Sequence, residues 1–496
     1  MYIKRLVVEN VRSFEQQEFV FSNGLNLLVG ENNSGKSTVF EALLYAATNY
    51  RPENFHRQSG GALRVEVWIA GIDLESHLAD EKFARYRDYV FTDEDGDTCL
   101  RAERSDTLRS VTQSGKSVAL DGKKLCLWHP IRGQFENPTG IDAVFRSLLD
   151  LEPIWATTEP GSVVDFNTTK TLGKMLATNV GDFFETGVWS QFETAHEAAF
   201  IDGPDSLRHR SSALADRLSS VVKEQYGQAD IRFVFEMPDP STFLKSGRVH
   251  VDDGSGETPL SAKGSGMQRA LALAVIQEFG RTIGKLGGAA LQSPLILLID
   301  EPETWLHPRA QLRLAEALRS LASAEQLFVT THSPYLFGEF NSSRDRVICM
   351  SRDAEGKRVV EYETKMGLVI SGKPSVGEVG FSAFSIPTTD FHDELYGAVI
   401  RHLESNGGKS DETAVNAFLN NQGIVNSLTW TRSVGGAEGR SYSVSLPVFV
   451  RNSIHHPENT FNPKFTAEQL HASTVALVDL VRALRVESNA ELPLAS

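Results

Sequence analysis

Gly30-Glu31-Asn32-Asn33-Ser34-Gly35-Lys36-Ser37-Thr38 fits the pattern GxxxxGK[ST]. Immediately before it, Leu25, Leu27, Leu28 and Val29 make a short apolar strand. Immediately after it, Val39, Phe40, Leu43 and Leu44 recur at helical spacing. A strand running through glycines into a helix is the context in which backbone N–H groups wrap the β- and γ-phosphates of a nucleotide, helped by the helix N-terminus. Gly30, Asn32, Asn33, Ser34, Gly35, Lys36, Ser37 and Thr38 are therefore the expected phosphate-binding residues. Lys36 would neutralise phosphate charge and Ser37 would hold Mg²⁺. Ile3, Leu6, Val8 and Val11 form an earlier strand, and residues 63–72 alternate as a half-buried one.

Four more stretches follow in order. Lys263-Gly264-Ser265-Gly266-Met267-Gln268-Arg269 precedes an apolar helix over 266–279; read alone, it also describes a helix cap. Leu295-Ile-Leu-Leu-Ile-Asp300-Glu301-Pro302-Glu303 is a buried strand ending in carboxylates. Asp300 would bind Mg²⁺ through water, and Glu301 would act as general base on the attacking water. Glu303 is a surface carboxylate, a supporting partner of those two or a further catalytic group. Trp305-Leu306-His307-Pro308 comes next, and Thr330-Thr331-His332-Ser333-Pro334 then follows a short apolar strand. His332 would orient the water or sense the γ-phosphate.

This ordered series resembles the ABC-type ATPase heads of the structural-maintenance-of-chromosomes, RecF and OLD (overcoming lysogenisation defect) families. The spellings GENNSGKST, GSGMQRALALA, IDEPETWLHP and THSPYLF are most similar to OLD-like heads. The resemblance implies that Ser265, Gly266 and Gln268 stand in the signature motif, with Met267 replacing its second glycine. It also implies a D-loop at 305–308, a switch histidine at His332, and ATP with Mg²⁺ held between two heads. Lys36 and Glu301 would then come from one chain and Ser265 from its partner. Gln58 stands as Q-loop glutamine, and Arg12 either approaches the nucleotide or is a surface arginine.

The 496 residues carry 49 Lys plus Arg against 64 Asp plus Glu, a net −15, with 23% charged and 41% hydrophobic residues. That balance excludes wholesale disorder and a chain coated in basic charge. Nucleic acid would have to be met in a local groove, or the acidic surface would hold a basic protein partner. Three widely spaced cysteines exclude a disulfide framework and a thiolate zinc site. With no signal-peptide pattern at the start and no apolar run long enough to span a bilayer, a soluble cytoplasmic protein is expected.

The expected fold is α/β: an ABC-ATPase head with a mainly parallel sheet, an antiparallel β layer around 91–125 and a helical insertion, followed by a mainly helical C-terminal domain. The expected boundaries are 1–345 for the head, with the insertion at about 140–228, then 346–385 as a β connector and 386–496 as the helical domain. No Asp-x-Asp occurs after residue 345, so a Toprim metal site is not expected. Arg451-Asn452-Ser453-Ile454-His455-His456 resembles the RNxxxH motif of HEPN domains, helical bundles that are often RNases. The resemblance implies His456 as acid/base and Arg451 as transition-state stabiliser. Arg51 and His56 share that spacing by chance. His455, His456 and Glu458 lack a fourth metal ligand. Near 386–396, Thr389 or Asp390 is the expected helix N-cap, with His392 and Glu394 able to face the Arg451–His456 pair.

The expected function is ATP binding and hydrolysis in nucleic-acid surveillance or antiphage defence. Head dimers would gate a nuclease or toxin effector, either the chain's own C-terminal domain or a separate protein. A RecF-like repair ATPase that binds DNA without cutting, and a scaffold sequestering a toxic partner, are the alternatives.

Overall fold

The computed structural model describes residues 1–490 apart from 49, 58–60, 107–108, 114–115, 121–123, 139, 146, 156–163, 168–170, 255, 265, 269, 273, 276–277, 279–293, 305, 338–343, 353–357, 363–367 and 370–373. Two sheets dominate. The antiparallel one has the order β10-β9-β6-β4-β1-β2, with β5 beside β6. Its strands are β1 (Tyr2–Val11), β2 (Phe14–Val20), β4 (Arg64–Ala70), β5 (Val90–Thr92), β6 (Thr98–Ser105), β9 (Cys126–His129) and β10 (Gln134–Glu136). A separate hairpin joins β7 (Arg109–Gln113) to β8 (Lys116–Leu120), so the expected antiparallel layer is present.

The second sheet has the order β11-β14-β15-β3-β16-β17. It comprises β3 (Leu25–Gly30), β11 (Asp150–Ile154), β14 (Leu295–Asp300), β15 (Gln326–Thr331), β16 (Arg346–Arg352) and β17 (Arg358–Tyr362). All neighbours are parallel except β16 and β17. Leu295 to Ile299 and Leu327 to Val329 are at most 1% exposed, as expected of parallel strands covered on both faces. The helix Lys36–Ala47 packs against β4 and β1 on one side and β3, β11 and β15 on the other. It is therefore buried nearly all round instead of along one stripe. Gln326 ties the sheets together: its side chain accepts from the Ile3 N–H and donates to the Ile3 and Ser22 carbonyls, each at 2.8 Å.

Residues 157–289 form their own compact unit. It holds helices Thr171–Asn179, Gly187–Glu197, Leu207–Tyr226 and Pro240–Lys245 and the hairpin β12 (His250–Asp252) to β13 (Glu257–Pro259). Trp189 anchors it, with Phe184, Phe192 and Phe243 rings 4.8, 5.1 and 5.4 Å away. The interval expected as an insertion, 140–228, thus begins with head structure. Asp150–Ile154 is too short and polar to read as a strand alone, and it becomes one by pairing with β14.

The strands expected as a connector belong to the parallel sheet, where Val347 to Met350 form a continuous buried run beside β3. The C-terminal part contains helices Val376–Phe384, Thr389–Ser405, Glu412–Asn421, Leu446–His455 and Ala467–Ala490. Their core includes Phe391, Leu395, Val399, Leu477 and Val481. A hairpin of β18 (Asn426–Val434) and β19 (Ala437–Ser445) packs on them, with Trp430 edge-on to Phe449 at 5.7 Å. Gly435 and Gly436 turn it with φ of 60° and 84°, the pair of positive angles that a two-residue hairpin loop needs. The Thr389–Ser405 helix is capped by Thr388, one residue earlier than expected. Among the described residues, no helix is long and apolar enough to cross a membrane.

Candidate functional site

The glycine-rich loop leaves β3 at the C-terminal edge of the parallel sheet, between β15 and β16. Gly30, with φ 153°, lies so close to β16 that an added Cβ would stand 2.0 Å from the Met350 carbonyl. Gly35, with φ 103°, also leaves little room: Cζ of Phe14, the first residue of β2, is 2.7 Å from where its Cβ would be. The Lys36 ammonium donates to the Gly30 and Glu31 carbonyls at 2.9 Å, which holds it inside the loop. The Ser34 hydroxyl is buried without a hydrogen-bond partner, a donor suited to a phosphate oxygen. Asn32 and Asn33 are exposed on the loop, and the Thr38 N–H closes the first helical turn on the Gly35 carbonyl at 3.0 Å.

The ends of β14 and β15 complete the site. Asp300 Oδ1 accepts from Ser37 Oγ at 3.2 Å and from Thr330 Oγ1 at 2.6 Å. A hydroxyl and a carboxylate converging at the phosphate loop are hard oxygen donors of the kind Mg²⁺ takes beside nucleotide phosphates. Glu301 has φ 44°, an angle that costs a non-glycine residue about 1–2 kcal/mol. Its N–H donates to both the carbonyl (3.1 Å) and the hydroxyl (2.9 Å) of Thr330, which holds it there. The turned backbone directs the carboxylate to His332, whose Nε2 is 3.2 Å from Glu301 Oε1. Glu303, 8% exposed, accepts through one oxygen from Thr331 Oγ1 (2.7 Å), His332 N–H (2.7 Å) and Ser333 N–H (3.2 Å). It thereby fixes the loop that carries His332. Ser333 Oγ in turn donates to Gln311 at 2.6 Å, and Gln311 donates to the Leu306 carbonyl at 2.9 Å. His307 caps the helix Pro308–Ala322.

Thr330 and Gln311 escaped the sequence reading. Two hydroxyls at a strand end, Thr330-Thr331, were the available signal for the first; nothing local marks Gln311. Glu41 was also missed. It receives both terminal Arg12 guanidinium nitrogens at 2.8–2.9 Å, so the exposed Arg12 side chain is tied to the phosphate-loop helix. Burial pushes the Glu41 carboxyl up, with Arg12 opposing and Asp300 reinforcing.

Ser265, Gln58 and Trp305 lie outside the described residues. Gly266 to Gln268 are helical, and Gln268 donates to the Lys263 carbonyl at 2.8 Å. They belong to the 157–289 unit, whereas the phosphate loop belongs to the other.

The C-terminal candidates lie around the end of the Leu446–His455 helix. Arg451 stacks on the Tyr396 ring at 5.6 Å and donates to Asn452 Oδ1 at 3.3 Å. Asn452 is 1% exposed and donates to Glu412 at 3.0 Å, a structural bond within the bundle. His456 caps that helix and pairs with Glu458 at 3.4 Å. Arg451 shares a helix face with His455, four residues on, which pairs with Asp393 at 3.0 Å. His392 is buried against Ser473 and Glu394 bonds Ser375, so those two partners engage other groups than the Arg451–His456 pair.

Residues 5–126 match a family described as "AAA domain", and residues 170–338 match one described as "AAA domain, putative AbiEii toxin, Type IV TA system". The "Old nuclease" of Escherichia phage P2 is 25% identical over 407 residues, 77% of this chain and 64% of that protein. The Septu protein PtuA of Bacillus thuringiensis is 20% identical over 348 residues, 68% of this chain and 73% of that protein. A DNA double-strand break repair Rad50 ATPase of Methanococcus maripaludis is 36% identical over 72 residues, 14% of this chain and 7% of that protein. These similarities support an ATPase of the OLD/SMC-like kind, and this chain spans less than two thirds of the OLD nuclease it matches.

Proposed function

We propose that this protein binds ATP and Mg²⁺ at the phosphate loop and hydrolyses the γ-phosphate, and that the cycle opens and closes a pair of its heads. One observation carries the reading: Ser37, Asp300, Glu301 and His332, distant in sequence, converge within hydrogen-bond reach at the ends of adjacent strands. The loop N–H groups and Lys36 would bind the phosphates. Bound Mg²⁺, held by Ser37 and Asp300, would neutralise charge developing on the phosphates. Glu301 takes the proton from the attacking water, and His332, positioned by Glu303, orients that water. Gly266 and Gln268, with Ser265, would reach the γ-phosphate of a second copy.

The similarity to Old nuclease and PtuA supports a role in antiphage defence or nucleic-acid surveillance, with the ATP-driven dimer gating a nuclease or toxin partner. A RecF-like ATPase that binds DNA without cutting, and a scaffold that sequesters a toxic partner, are the alternatives. Lys36→Ala is expected to abolish ATP binding. Lys36→Ala turning over ATP at the wild-type rate would overturn the proposal. DNA-stimulated turnover without cleavage would favour the repair alternative. RNA cleavage by Arg451 and His456 is a subsidiary reading, supported by their shared place at one helix end. Loss of cleavage or toxicity in the Arg451→Ala, His456→Ala double variant tests it, and unchanged cleavage rejects it.

A further inference from the structure

The switch histidine has a neighbour that the hydrolysis scheme does not use. The Phe384 ring lies 5.8 Å from the His332 ring at 34°. His332 is thus bounded by the Glu301 carboxylate and by this phenyl face, while Glu303 holds its backbone. Its buried Nε2 meets Glu301 at 3.2 Å without good hydrogen-bond geometry, so ring packing shares in setting its orientation.

Phe384 is the last residue of the helix Val376–Phe384, which packs on β3, β16 and the turn 334–337 and is also tied to the C-terminal bundle. At its start, Ser375 caps it by accepting from the Glu378 N–H, and Ser375 also bonds Glu394 of the next helix. In the first turn, Gly377 packs so tightly that an added Cβ would stand 2.6 Å from Phe391 Cβ. Phe381 lies 5.8 Å from both the Phe391 and the His471 rings. At its end, Ser385 turns into the left-handed region at φ 55° and its N–H returns to the Phe381 carbonyl at 2.9 Å. A short, capped helix held at several points moves as one piece, because packed interfaces shift between discrete arrangements and do not deform smoothly. Bridging the head strands and the bundle, the helix offers a route by which a shift of the bundle reaches the imidazole through Phe384.

We propose that Phe384 is a positioning residue for His332, through which the C-terminal bundle sets the rate of ATP hydrolysis. The inference rests on the hydrolytic role of His332 and adds its control. Removing the phenyl face lets the imidazole leave the water-orienting pose without touching the phosphate loop, so turnover falls while ATP affinity stays.

Steady-state ATP hydrolysis by the full chain tests this with His332→Ala, Phe384→Leu, Phe384→Tyr and Gly377→Ala. Phe384→Leu is expected to lower kcat on the order of ten-fold or more, with KM for ATP within about two-fold. Phe384→Tyr keeps the ring and should restore kcat. Gly377→Ala pushes the helix off Phe391 at the far end and should also lower kcat. Combined with Phe384→Leu it should add little further, since both act through one contact. Wild-type kcat in Phe384→Leu beside an inactive His332→Ala overturns this inference and leaves the hydrolytic site standing. Wild-type kcat in Gly377→Ala beside a slow Phe384→Leu overturns the link to the bundle. Wild-type turnover in His332→Ala overturns the hydrolytic role itself, and the inference with it.

Discussion

Glu303 accepts three donors on one oxygen while its other oxygen is buried without a partner. That pattern assigns it to positioning, and it separates two substitutions. Glu303→Gln keeps an accepting oxygen for Thr331, His332 and Ser333, whereas Glu303→Ala leaves those donors unpaired. Turnover should fall on the order of a hundred-fold in the alanine variant and by about ten-fold or less in the glutamine one. Equal losses in both would instead assign the carboxylate a proton-transfer role. Lys36, Ser37, Asp300, Glu301 and His332 were legible in the sequence because glycines, carboxylates and a histidine stand at strand ends in a fixed order. Thr330, Gln311 and Glu41 were not. Their meaning comes from what lies across the strand or helix from them, and no local spacing encodes that.

At the scale of elements, β14 and β15 carry the candidate site at one end and a buried carboxyl at the other. Glu325, 9% exposed, precedes β15, and burial pushes its carboxyl from 4.5 up to about 7, opposed by the Leu295 N–H. A carboxyl raised on folding leaves stability intact below pH 4.5 and subtracts from it as pH rises through 7. The full loss is on the order of 3 kcal/mol. Glu325→Gln should therefore melt at the wild-type temperature near pH 4 and several degrees above wild type at pH 8. A melting difference that does not change with pH would contradict this. The parallel strands and the phosphate-loop helix were readable as continuous apolar runs. β11 was not, because its five residues are polar at alternate positions and become a strand only beside β14. The β18–β19 hairpin was readable in principle, from alternation flanking Gly435-Gly436, yet a helical expectation for the whole C-terminal part concealed it.

Across the whole molecule, two sheets grip the phosphate-loop helix, and one buried side chain, Gln326, bonds across them. Gln326→Met fills the space but leaves the Ile3 N–H and C=O unpaired, at a cost of about 2–4 kcal/mol. Chemical denaturation should show a lower midpoint; an unchanged midpoint would mean the sheets are held by apolar contact alone. The same joining of sheets brings Arg12, just after β1, to Glu41 of the phosphate-loop helix, so stability and site geometry share one core. The 157–289 unit was only partly legible: an insertion was expected over about 140–228, and the unit extends past it through the β12–β13 hairpin and Gly266 to Gln268. The division places Gly266 to Gln268 in one unit and the phosphate loop in the other. The most direct test of the central claim is ATP turnover and ATP retention measured together on the wild type and Glu301→Gln. The expected result is retained ATP with turnover down by about 10²–10⁴, the contribution of a general base. Wild-type turnover in Glu301→Gln would contradict the assignment of this site to ATP hydrolysis.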